Sequence, residues 1–202
     1  VRACEAASRL VAEGAIGRVI QTTGLGPHRL NRAIRPEWFF RPEAFGGILT
    51  DIASHQIDQF LHFTGADTAR ITAAATANRA LPDVPAFRDY GDILLDSGEA
   101  RGFIRVDWFT PDGLPTWGDG RLFLTGTEGT IELRKYLDPA GRPGADHLFL
   151  CDRHGMRHLD CSAESLRYFT RFLADVRDRL ADLRRIEVAL RGLVERCCAA
   201  SG

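Results

Sequence analysis

Lysine is all but missing from this chain of 202 residues: Lys135 stands alone, and every other basic side chain is an arginine. Chemistry that needs a lysine therefore has one address. The five cysteines, Cys4, Cys151, Cys161, Cys197 and Cys198, form no C-x-x-C pair, and their odd count leaves one over in any disulfide scheme. Reduced thiols in a cytoplasm fit that pattern. No apolar run approaches the roughly 18 residues that cross a bilayer, and the first residues lack the charged-then-apolar layout of a signal peptide. Charge of one sign is missing too. A formal net charge of -1, with acids and bases mixed along the chain, gives no field to hold nucleic acid or an anionic membrane. A small molecule or another protein is the expected partner. There is no G-x-S-x-G nucleophile elbow, and Gly24-Leu25-Gly26 lacks the third glycine of G-x-G-x-x-G and leads into Pro27-His28. The chain carries no dinucleotide loop of its own, and this stretch reads as a loop.

What is present is 45% hydrophobic residues, enough for one substantial core, with no repeat or composition shift to divide the chain. The pattern predicts an opening helix that stops at Gly14, then a strand over Ile16–Thr23. The start at Val1, without Met and already helical in pattern, leads us to expect a longer gene product. An irregular loop from Gly24 to Pro42 follows, containing Arg35-Pro36-Glu37-Trp38, and a loop of that length is often functional. After Gly46-Gly47 an amphipathic helix runs from about Ile48 to Thr64 and stops at Gly65. Strands are predicted at about 69–79, 87–95, 101–109, 120–126, 129–136 and 146–151, separated by turn residues and not by helices. That order implies a mostly antiparallel sheet. Leu166, Phe169, Leu173, Val176, Leu180, Leu183, Leu190, Leu193 and Cys197 return the chain to helix, with a break expected near Asp182. The fold class is α+β, an open sheet with helices mainly on one face.

On the helix after Gly47, at about 100° per residue, Asp51, His55, Asp58 and His62 fall within an arc of roughly 60°. Ile52, Ala53, Ile57, Phe60, Leu61 and Phe63 take the other side. A carboxylate one turn before a histidine can orient the ring and favour its protonated form, which makes a general acid/base pair. A solvated helix face explains the same stripe. Metal binding is a rival chemistry, since Asp51 and His55 would supply two ligands. The remaining ligands would have to come from His147, His154 or His158, and no H-E-x-x-H occurs. Ser54, beside His55, projects to another side of the helix.

Gly46-Gly47-Ile48-Leu49-Thr50-Asp51-Ile52-Ala53-Ser54-His55-Gln56-Ile57-Asp58 resembles the G-G-x-L-x-D-x-x-x-H-x-x-D signature of the glucose-fructose oxidoreductase/inositol dehydrogenase/MocA family. Leu10–Val19 is similar to that family's helix-to-sheet junction, and Arg35-Pro36-Glu37-Trp38 to its pre-signature loop. The resemblance covers essentially the whole chain, but only the family's C-terminal half, whose fold is the dihydrodipicolinate-reductase-like open sheet. It implies that residues 1–202 are one substrate-binding and oligomerisation domain, with the Rossmann domain for NAD or NADP, and its Glu-Lys-Pro lysine, upstream of Val1. Lys135 does not match that lysine.

By the same resemblance His55 would exchange a proton with a substrate hydroxyl, Asp51 would orient it, and Trp38 and Arg35 would line the pocket. Asp58, Gly46 and Gly47 would support the helix. The implied reaction is hydride transfer between a nicotinamide and a sugar or polyol, by a cytoplasmic homo-oligomer joined through the sheet face. No metal, nucleic acid or membrane is implied, and no cofactor is expected on this half alone. A binding or dimerisation module without chemistry, derived from such enzymes, is the alternative reading.

Overall fold

A computed structural model describes residues 1–199. The chain divides into two compact units, Val1–Glu164 and a second that begins at Ser165. The first is built on one eight-stranded sheet: β1 (Val19–Pro27), β2 (Arg70–Ala77), β3 (Tyr90–Asp96), β4 (Arg101–Asp107), β5 (Arg121–Gly126), β6 (Gly129–Arg134), β7 (His147–Asp152) and β8 (Gly155–Asp160). Their order is β2-β3-β4-β1-β5-β6-β7-β8. Every pairing is antiparallel except β1 with β4, which run parallel. The sheet is therefore the open, mostly antiparallel one that the run of strands implies.

Two helices cover one face. Helix α1 (Arg2–Ala12) lies over β6 and β7, and buries Ala3, Ala6 and Ala7 against Ile16, Leu124, Ile131 and Leu148. The second helix begins as a π turn, Leu49–Ala53, and continues as α3 (Ser54–Thr64) across β1 and β4. A short α2 (Pro42–Phe45) precedes it. Gly65, at φ 70°, ends α3 in the left-handed region where a side chain would be strained. Phe60, fully buried, seats α3 on the sheet beside Ile52, Ile104 and Leu95.

The structure corrects the sequence reading in three places. Gly24-Leu25-Gly26 is not loop: β1 continues through it to Pro27. Its glycines serve close packing, since a Cβ on Gly24 would stand 2.8 Å from Gln56 Cγ, and one on Gly26 3.1 Å from Ile52 Cγ2. The strand β8 was not expected at all. It is an edge strand with both faces largely exposed, so no burial imposes the alternation that marks a strand in sequence.

The second unit contains α4 (Tyr168–Ala199), which runs without the break expected near Asp182. No glycine or proline interrupts it there, and Asp182–Arg185 and Glu187–Arg191 ion pairs staple successive turns. Its Phe169, Leu173, Leu180 and Leu183 side chains are exposed. The side chains of Leu193 and Cys197, which the apolar spacing included, lie outside the described residues. Among the described residues no helix is long and apolar enough to cross a membrane.

Candidate active site

The parallel pairing of β1 with β4 sets the site. Pro27 stands in register with Asp107, so the residues that follow, His28 and Trp108, leave the carboxyl ends of neighbouring strands together. Ligands in open sheets often bind at such ends. The His28 N–H donates to the Asp107 carbonyl at 2.8 Å, and the imidazole meets the Trp108 ring edge-on at 5.7 Å. A third strip of chain closes on the same point. Arg29 N–H donates to the Trp117 carbonyl at 2.8 Å, and Gly118 presses so closely that a Cβ there would stand 2.1 Å from the Pro27 carbonyl oxygen.

Across this corner lies the start of the signature helix. Asp51, His55 and Asp58 are all exposed on it, while Ile52, Ala53, Phe60 and Phe63 are buried. The stripe thus faces outward as its periodicity implies. No hydrogen bond or ion pair joins Asp51 to His55, although the i, i+4 spacing would allow one. Asp51 sits in the π turn, where the backbone is wound more widely than in an α-helix and the side chains change phase. Single π turns of this kind recur at functional sites.

His62, the fourth member of the stripe, is exposed but employed. Its Nε2 is 2.7 Å from Ser8 Oγ and its ring packs on Phe63, which ties α3 to α1. Asp58 makes no hydrogen bond or ion pair among the described residues. Gly46 and Gly47 hold φ values of 78° and 87°, left-handed geometry that turns the chain from α2 into the π turn.

His28 was not singled out in the sequence. Its Nδ1–H donates to the Gly26 carbonyl at 3.0 Å, which leaves Nε2 as an acceptor. Burial is the main force lowering its pKa below the ordinary 6.5; the Gly26 bond and Asp51 oppose it, while Lys135 and His55 add to it. The three ionisable groups among them, Asp51, Lys135 and His55, are the charges that surround the ring. The lone lysine thus stands within electrostatic reach of the corner, just beyond β6. Because folded His28 takes up its proton at lower pH than in the unfolded chain, the unfolded state binds more protons between the two values, and stability rises with pH. That contribution is complete above about 6.5 and is lost as pH falls through the folded value. An imidazole NMR titration should place the His28 midpoint below 6.5; a midpoint at or above it would contradict the buried, neutral ring.

Arg35 also belongs to the corner. Its guanidinium lies 4.4 Å from the Phe39 ring centroid, 5.0 Å from that of Trp108 and 5.2 Å from that of Trp117, and its Nε–H donates to the Leu30 carbonyl at 3.0 Å. Burial lowers its pKa and Asp51 raises it, so the two groups feel each other. Trp38 stands outside this cage, edge-on to Phe39 at 6.0 Å and half exposed. Beside the cage runs a groove of about 600 Å³ lined by Arg29, Asn31, Arg32, Ile34, Trp108 and Thr110, among others. Trp108 Nε1 and Thr110 Oγ1 are buried there without partners among the described residues. Unmet polar atoms of that kind cost about 1–3 kcal/mol each, so the corner favours a polar occupant.

The space over Gly24 and Gly26, where a backbone could approach a pyrophosphate, is filled by Gln56 and Ile52.

An open antiparallel sheet with such a helix laid over one face is the fold of the C-terminal domains of oxidoreductases. The chain belongs to the GFO/IDH/MocA family, whose C-terminal domain matches residues 4–132, more than half of its length. A protein of Erwinia carotovora atroseptica assigned as an oxidoreductase is similar at 47% identity and a TM-score of 0.84, over 89% of this chain and 54% of that one. One from Thermotoga maritima shares the fold at 22% identity and a TM-score of 0.74, over 88% and 50%. Levoglucosan dehydrogenase, solved with NADH, shares it at 20% identity and a TM-score of 0.63, over 83% and 45%. The chain spans about half the length of the structures it matches. No curated protein matches it.

Proposed function

We propose that this chain is the substrate-binding and catalytic half of an NAD(P)-dependent dehydrogenase acting on a hydroxyl or carbonyl of a sugar or polyol. The observation that carries this reading is the Asp51/His55 face: two ionisable side chains held outward on a helix whose other side is pinned to the sheet, next to the neutral imidazole of His28. The dinucleotide is held by a Rossmann domain that this chain does not itself provide, so the half is inactive alone. When bound, its nicotinamide supplies the hydride acceptor or donor.

The chain's own residues do the rest. In oxidation His55 takes the hydroxyl proton as the carbonyl forms, and returns it in reduction. Asp51, on the same exposed face one turn earlier, orients the base for that exchange. His28 Nε2 accepts a hydrogen bond from a second hydroxyl and orients the substrate. Arg35 and Trp38 line the pocket, and Asp58, Gly46 and Gly47 support the helix that carries the base. Support also comes from levoglucosan dehydrogenase, whose fold is shared and which has been solved with NADH and with levoglucosan or L-sorbose.

The test is a panel of sugars and polyols offered with NAD⁺ and with NADP⁺ to the protein that carries this chain together with its nucleotide-binding domain. At least one pairing should yield reduced nicotinamide; none with either cofactor would leave only a non-catalytic module. Free Cys4, Cys151 and Cys161 support a reducing, cytoplasmic setting.

Assembly is proposed through the face opposite α1 and α3. Leu94, Phe103, Thr23, Phe123, Glu132, Phe149 and His158 stand in one cross-strand row there, and its three phenylalanines are only half buried. A second copy covers that row. Sedimentation at micromolar concentration should give a mass above that of the monomer, and a monomeric mass would contradict it.

A further inference from the structure

The segment after β1 brings three arginines to the corner, and they differ in what they hold. Arg29 lies 3.9 Å from an Asp112 carboxylate oxygen and donates to the Pro111 and Asp112 carbonyls. Arg32 forms an ion pair with Asp83. Arg35 has no hydrogen-bonded or ion-paired carboxylate among the described residues. Only its Nε–H is used, and its plane is fixed by Phe39, Trp108 and Trp117.

A guanidinium confined between rings can offer a ligand little besides its edge, where two terminal N–H groups form the fork that matches a carboxylate. Stacking holds that fork in place beforehand, so little side-chain entropy is lost on binding. The neighbourhood favours one negative charge and not two. Arg29 and Arg32 already face aspartates, so Arg35 is the one of these three arginines without a carboxylate among the described residues, and Asp51 is close enough to disfavour a dianion. The groove that begins at Leu30 and Trp108, both in contact with Arg35, is roomy and contains the unpartnered Trp108 Nε1 and Thr110 Oγ1. Those atoms suit hydroxyls.

We propose that the substrate is a sugar acid, a polyhydroxylated carboxylate of the aldonate or uronate class, and that Arg35 binds its carboxylate in the ring cage while a hydroxyl lies toward His55. The inference rests on the reading of the Asp51/His55 face as the reacting site. Arg35 is then a specificity residue that sets which sugars are admitted, and it does not take part in proton transfer.

The test uses matched pairs that differ only at the acid carbon: D-gluconate against D-glucitol, D-galactonate against galactitol, and D-galacturonate against D-galactose. Glucose 6-phosphate serves as a dianionic arm. Binding to the protein carrying this chain is read by calorimetry and by tryptophan emission, since two of the cage rings are indoles. The tightest-binding acid should exceed its neutral counterpart by about 10-fold or more, in keeping with a charge-assisted fork. Arg35→Gln should erase that margin, and Arg101→Gln, at a cation paired with Asp96 at the opposite end of β4 from the corner, should keep it. Neutral sugars binding as tightly as acids, no measurable binding of any acid, or the phosphate binding most tightly would each overturn the proposal. The wild-type comparison stands even where a variant fails to fold. Failure of the underlying site looks different: turnover that survives His55→Ala breaks the site reading, whereas turnover that depends on His55 without acid preference breaks this inference alone.

Discussion

Replacing His55 with alanine is expected to lower turnover of the protein that carries this chain by about 10²- to 10⁴-fold, the range set by loss of a positioned general acid/base. His55 is exposed and its neighbours in the core are not touched, so the thermal unfolding midpoint should stay where it is. That separation makes the experiment decisive: a stable protein with no catalysis assigns the imidazole a chemical role, and a stable protein with full turnover removes it from the reaction. KM should change less than kcat, because the proton moves in the transition state and not on binding. His28 does not replace it, since its Nδ1 is committed to Gly26 and its ring is held neutral by burial.

Phe60→Ala should have the largest effect on stability, about 3–5 kcal/mol in urea unfolding, as expected for deleting a fully buried aromatic side chain. Phe60 is the peg of the signature helix. On the sheet side Gly102 leaves it room, since a Cβ there would stand 2.7 Å from the ring, and Leu95 is 3.2 Å from the same point. With the peg removed, the helix loses its fixed height over β1 and β4, and with it the placement of Asp51 and His55 relative to His28. A loss below about 1 kcal/mol would show that the site does not depend on this seat.

The helix and its stripe were legible in the sequence because they depend on local periodicity. Apolar residues at helical spacing from Ile52 to Phe63 bury one side, and whatever is polar must face the other way. The six strands expected from turn residues and alternation are present for the same reason. What could not be read depends on contacts distant in the chain. Gly24 and Gly26 look like loop residues until Gln56 and Ile52 are seen lying on them. His28 and Trp108 are 80 residues apart in number, and only the register of the one parallel pair makes them neighbours. With the strand read as ending at Thr23, His28 stood inside the predicted loop and gave no signal.

Arg35 was legible as a member of the pre-signature loop, but its cage was not. Phe39, Trp108 and Trp117 come from three separate stretches of chain. The π turn at Asp51 likewise has no signature in composition, and no hydrogen bond joins Asp51 to His55 despite their spacing.

The measurement closest to the central claim is the pH dependence of kcat/KM for substrate oxidation, recorded for the wild type and for His55→Ala. If His55 is the base, the wild-type value falls as acid protonates it, and the variant, at its much lower rate, lacks that fall. Superimposable profiles, with the same ionisation in both proteins, would contradict the account.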